Sequence, residues 1–124
     1  MRHTVRFMPL ELERINKLTM ELRRGILILT ALASLQQEHY GYSLRKKLID
    51  AGLDIDEGTL YPLLSRMKRA ELVSYQWEES KSGPPRKVYT VTPEGRKTLT
   101  TLEASWRRLD GSVNKLIKHY EASN

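Results

Sequence analysis

The sequence predicts a mainly α fold with a small β-hairpin, an α+β arrangement closed by one long helix. Three observations carry that reading. Apolar residues recur at helical spacing in consecutive stretches before Glu71, and two β-rich runs then flank a Ser-Gly-Pro-Pro segment. From Leu99 onward, apolar positions repeat in strict steps of three and four.

The elements follow in order. Met1 to Thr4 form a polar, loose arm. From Pro9, which suits a first helical position because its missing N–H has no partner there, Leu12, Ile15, Leu18 and Leu22 keep helical spacing. Glu21 to Leu35 is apolar nearly all round and predicts a central core helix covered on several sides. Gln36 to Gly41 reads as a turn. A second helix is expected from Tyr42 to Ala51, with Leu44, Leu48 and Ile49 inward and Gly52 as its left-handed stop. Asp56 or Thr59 can cap a third helix from Leu60 to Ala70, whose stripe is Leu60, Leu63, Leu64 and Met67, with Pro62 in its first turn.

Leu72 to Trp77 and Lys87 to Thr92 predict a strand pair, with the turn in Glu78 to Arg86. Thr92-Pro93-Glu94 then opens the last helix: a cap residue, a Pro at the first position and an acid in the first turn. Its seam is Leu99, Leu102, Trp106, Leu109, Val113, Leu116 and Tyr120, the two-in-seven spacing of helices that pair. The flanks lack the alternating charges of a long zipper and Gly111 weakens the interior, so a short dimerisation helix is expected rather than a rod. The expected organisation is an arm and helical extension (1–18), a DNA-binding unit (19–92) and a dimerisation helix (93–124).

With 124 residues the chain makes one domain, and 21 Lys+Arg against 15 Asp+Glu give a formal charge of +6, which favours a polyanionic partner. There is no cysteine, so disulfides and thiolate metal sites are excluded. The longest apolar run, Gly25 to Leu35, is too short to span a bilayer, and a cytoplasmic protein is expected. His3, His39 and His119 show no ligand spacing, and neither a phosphate loop nor a nucleophile motif is present. The acids Asp54, Asp56 and Glu57 are explained by capping and solubility. The expectation is a non-enzyme without metal or cofactor.

Three helices followed by a hairpin are the winged helix-turn-helix plan, in which the third helix enters the major groove. The outward face of that helix offers Thr59, Tyr61, Ser65, Arg66 and Arg69 to bases and phosphates, and Lys81, Arg86 and Lys87 suit a wing that lies along DNA. The plainer readings are a solvated basic helix face and an ordinary charged hairpin.

Tyr40-Gly41-Tyr42, then Gly58-Thr59-Leu60-Tyr61-Pro62-Leu63-Leu64, then Gly83-Pro84-Pro85-Arg86-Lys87-Val88-Tyr89-Thr90-Val91-Thr92-Pro93-Glu94-Gly95, resemble the PadR family of bacterial transcriptional regulators. The single C-terminal helix is similar to that of its short subgroup. The resemblance implies a homodimeric repressor on an inverted-repeat operator in double-stranded DNA, and it adds Tyr42 to the residues near DNA. Ala104 to Asp110 is similar to the last helix of multidrug-sensing members, which implies a planar aromatic effector at Trp106 and Asp110; the alternative is that Trp106 simply packs the dimer.

Three departures stand out. Glu71 replaces the Gly usual after the recognition helix, so a different helix end is expected; Gly111 alters the wall beside Trp106; and the extension before Leu18 is longer than the short subgroup requires. The competing reading is a dimeric interaction module that keeps the fold without sequence-specific DNA binding.

Overall fold

The structure, a computed structural model, describes residues 8–123, with side chains described through residue 120. The predicted arm, Met1 to Thr4, lies outside them. Where two helical stretches are legible in the sequence, α1 (Pro9–Ser34) is one continuous helix of 26 residues, because nothing between Leu18 and Glu21 breaks it. Pro9 takes its expected place, and Leu12 N donates to Met8 O at 2.9 Å. Only the C-terminal end of α1 enters the core, through Leu27, Ala31 and Leu32. Leu22, expected inside, is 77% exposed.

The expected turn before residue 41 contains a two-residue strand, β1 (His39–Tyr40), and Gly41 starts α2 (Gly41–Asp50). Leu44 and Leu48 are buried as expected, whereas Ile49 faces outward. Gly52, at φ +100°, ends α2 as a left-handed residue, with Leu53 N donating to Leu48 O at 2.9 Å.

α3 (Glu57–Arg69) begins three residues before the expected Leu60 because Asp56 caps it: Thr59 N donates to Asp56 Oδ1 at 2.8 Å. Hydrogen bonding by Thr59, from its hydroxyl and then its backbone N–H, holds the Asp56 carboxyl below the usual carboxylate range. The earlier start puts Pro62 inside the helix rather than in its first turn, so the bond that residue 62 would give to the Gly58 carbonyl is lost. Leu60, Leu63, Leu64 and Met67 are all buried.

The end of α3 corrects a second expectation. Glu71 adopts φ 62°, and Leu72 N donates to Met67 O at 2.9 Å while Glu71 N donates to Lys68 O at 3.0 Å. This is the closure that ends α2, built on a residue with a Cβ.

The hairpin pairs β2 (Val73–Ser80) with β3 (Gly83–Val91), and β1 adds to the other side of β3, giving the order β1-β3-β2. Both strands run further toward the tip than expected. The turn is Lys81-Ser82, and Pro84 and Pro85 stand inside β3, beside the register shift between Glu78 and Ser80. Neither Pro can donate a ladder bond, and a bulge is where a strand tolerates that. Lys81 therefore sits at the tip itself.

α4 (Pro93–Ser123) starts where its signal predicts. The Thr92 hydroxyl accepts from Gly95 N at 2.9 Å and donates to the Glu71 carbonyl at 2.6 Å, and Thr92 N donates to Leu72 O at 3.0 Å. A Cβ on Gly95 would run into the Leu72 carbonyl oxygen. One residue thus joins the end of α3, the hairpin and the base of α4.

The core draws on every helix and on β2 and β3, and also takes in Leu35 and Ile55. Leu99, the first seam residue, belongs to it at 9% exposure, and Leu102 packs half-buried against it. The exposed seam therefore begins at Trp106. Among the described residues no helix is long and apolar enough to cross a membrane, and no group of three His, Asp or Glu could hold a metal ion.

Candidate nucleic-acid interface

Two of the sequence motifs meet in space. Gly41 is buried beneath the Tyr61 ring, and a Cβ there would stand 2.7 Å from Tyr61 Cε1. The missing side chain lets the first turn of α2 lie against the start of α3. Tyr42 and Tyr61, 73% and 43% exposed, then stand side by side on a cleft of about 360 Å³ whose far wall is the hairpin.

Strand register decides what that wall presents. Tyr75 pairs with Tyr89 and Trp77 with Lys87, so these four share one face of the hairpin. Lys87 Nζ lies 4.5 Å from the Tyr75 ring centroid and 5.4 Å from that of Trp77. Arg86, on the opposite face, stands 5.2 Å from the Tyr40 ring, whose hydroxyl donates to Glu78 Oε1 at 2.7 Å. That bond to Glu78 is the main reason the Tyr40 hydroxyl holds its proton more tightly than an ordinary tyrosine. Both cations line the cleft, held over aromatic rings rather than paired into salt bridges.

Of the residues expected near DNA, Tyr42, Tyr61, Arg86 and Lys87 are brought together around this cleft. Thr59, Ser65, Arg66 and Arg69 continue along the exposed face of α3, and Lys81 is exposed at the hairpin tip. Tyr42 of α2 and Tyr61 of α3 thus share with the hairpin one aromatic and basic cleft, and the other exposed residues of α3 lie outside its lining. Sequence reasoning missed Trp77 and Tyr40. Trp77 is 63% exposed, but its aromatic character marks it in the sequence only as a strand former. Its place beside Lys87 emerges only from the register.

A second concavity lies between α1 and α4. It is a groove of about 570 Å³, walled by Leu22, Gly25, Ile26 and Leu29 on one side and by Leu102, Trp106, Leu109 and Val113 on the other. Trp106 and Asp110, one helical turn apart, both line it.

The comparisons with known proteins agree with this architecture. Residues 28–101 match the model of the transcriptional regulator PadR-like family. A PadR family transcriptional regulator from Eggerthella lenta is 39% identical, with 85% of this chain and 93% of that one covered and a TM-score of 0.78. A PadR-like transcription factor from Bacteroides fragilis is 42% identical over 81% of this chain and 98% of the other, with a TM-score of 0.69. A PadR-like regulator from Bacillus cereus is 34% identical, covering 78% and 96%, with a TM-score of 0.72. With its three helices, hairpin and closing helix in the same arrangement, the chain belongs to the PadR-like family of transcriptional regulators.

Proposed function

We propose that this protein is a cytoplasmic, sequence-specific DNA-binding repressor that acts as a homodimer on an inverted-repeat operator. The observation that carries the reading is the cleft lined by Tyr42 of α2, Tyr61 of α3 and Arg86 and Lys87 of the hairpin. Each protomer sets α3 into a major groove while the wing follows the adjacent backbone. Arg66 and Arg69 fork onto guanine edges or phosphates, and Thr59, Tyr61 and Ser65 bond phosphate oxygens. Residues 19–92 form the DNA-binding unit and 93–124 the dimerisation helix, whose seam sets the spacing of the two half-sites. A planar aromatic effector enters the α1–α4 groove, stacks on Trp106 beside Asp110 and shifts that spacing.

A fluorescence-anisotropy titration at physiological salt tests the reading, comparing the region upstream of the protein's own gene with scrambled duplex. A regulator of this kind prefers its operator by roughly a thousandfold or more. Arg66→Ala should weaken operator binding by about 1–3 kcal/mol and relax one base position. Equal, steeply salt-dependent binding to every duplex in a random library would instead leave a phosphate-binding interaction module. Trp106→Ala should weaken a planar dye while sparing DNA binding.

A further inference from the structure

α3 is held at both ends, and by different means. At its C-terminal end the bonds of Thr92 join it to the hairpin and to α4. At its N-terminal end the seat is made by two cations. Residues 51–56 link α2 to α3, and two successive carbonyls of that link accept from guanidinium groups. Arg23 Nη1, from α1, donates to Asp54 O at 2.7 Å, and Arg45 Nε, from α2, donates to Ile55 O at 3.0 Å.

Carbonyls in a short link have no helix or ladder to bond into, and the Ile55 residue is fully buried, so their partners must be brought from elsewhere. A guanidinium suits that task because it stays charged at every working pH and its donors keep a fixed fork. Arg23 and Arg45 are partly buried, unlike Arg66 and Arg69 on the exposed face of α3. Among the described residues neither forms a salt bridge. Their donors are directed at the link instead of at a carboxylate.

The residue that follows the two carbonyls is Asp56, the cap of α3. Behind the two hydrogen bonds from Thr59, and against partial desolvation, the charges of Arg45 and then Arg23 also favour its ionised form. The same two side chains thus hold the link and favour the carboxylate that accepts from Thr59 N. α3 has 13 residues, about 20 Å of rigid helix, so a displacement of its first turn moves its whole outward face. Base-edge contacts require placement within about 0.5 Å. Phosphate contacts position the helix without reading sequence, and long flexible side chains can follow such a shift.

We propose that Arg23 and Arg45 are positioning residues that seat α3 for reading bases. Discrimination between operator and random duplex then depends on two guanidiniums bonded to the protein's own main chain. This rests on the sequence-specific DNA binding of the preceding section.

The full-length double variant Arg23→Met/Arg45→Met removes both donors and keeps the apolar stems. Against an operator selected from a random library, its preference over scrambled duplex should fall at least about tenfold, the loss of one base-edge contact. Affinity for scrambled duplex should stay within about twofold, with unchanged salt dependence. Arg23→Lys/Arg45→Lys, which keeps the charges and a donor at each site, should recover part of the preference. Arg23→Met and Arg45→Met alone should each give a smaller loss in the same sense, a readout that survives if the double variant does not fold. Equal losses on both duplexes, with a salt dependence shallower by about one ion per arginine, would make these residues phosphate contacts and overturn the seat. Unchanged preference in the single variants overturns it and leaves the regulator. A wild-type chain that prefers no duplex in the library overturns the DNA reading itself, and the seat with it.

Discussion

The body of the molecule and its two projecting helices obey opposite rules. Within the body, every stripe position of α3 is buried and Leu32, Leu35, Leu44 and Ile55 have no exposed surface. Along the free parts of α1 and α4 the same kinds of residue, at equally regular spacing, face solvent: Leu22 is 77% exposed and Leu116 71%. Periodicity therefore reports that a face is meant to be covered but not by what. In the body the cover is the same chain; on the projections none of the described residues supplies it.

That contrast should show first in stability. Leu32→Ala should cost about 2–5 kcal/mol in urea unfolding, because it opens a cavity in a closed core. Leu116→Ala should leave the protomer within about 0.5 kcal/mol and act instead through a transition midpoint that depends on protein concentration. An equal loss for both, independent of concentration, would erase the distinction.

The cleft between the helices and the hairpin gives the next test. Gly41→Ala places a methyl group where the Tyr61 ring lies, so that ring must move. Operator affinity should fall by about tenfold, on the order of 1.4 kcal/mol, with little change in unfolding midpoint. Unaltered affinity would remove the Tyr42–Tyr61 pairing from the binding surface.

Within the body, two helix ends sharpen the comparison further. Gly52 and Glu71 close α2 and α3 by the same hydrogen bonds, but only Glu71 has a Cβ in a left-handed conformation. Glu71→Gly should stabilise the protein by about 1 kcal/mol and Gly52→Ala should destabilise it by a similar amount, read from unfolding midpoints.

The smallest effect is one of pH. His39 Nδ1 lies 3.1 Å from Ser43 Oγ, and its buried Nε2 has no hydrogen-bond partner. Burial, and then the charge of Lys47, lower its pKa from 6.5. Below that value the unfolded chain takes up a proton that the folded chain resists, so stability should fall as pH drops from 6.5 toward the lowered folded value. Above 6.5 both states are neutral and the contribution vanishes. His39→Gln should flatten that part of the stability profile; an unchanged slope would assign the dependence to other groups.

These differences also explain what could be read without coordinates. The stripe of α3, the stop at Gly52 and the start of α4 at Thr92-Pro93-Glu94 were legible because each is encoded by residues within one or two turns. Features that depend on a distant partner were not. β1 is two residues long and exists only because β3 is there to pair with it. The hairpin turn falls at Lys81-Ser82 rather than at the prolines because the register with β2 places it there. Leu99 fits the seam by spacing, yet the packed base of α4 absorbs it into the core. In the candidate site, the residues of α3 and the wing could be named one by one, but Trp77 and Tyr40 entered only once the strands were paired.

Thr92 has a mechanical consequence. Its hydroxyl bridges the Glu71 carbonyl and Gly95 N, while its own N–H holds Leu72. α4, with 31 residues, is a lever of about 46 Å pivoting at that residue. The Leu72 carbonyl pressed against Gly95 leaves the pivot little play. A force that swings the far end of α4 must therefore rotate α3 with it or break the Thr92 hinge, so the joint works as a stiff crank rather than a flexible tether.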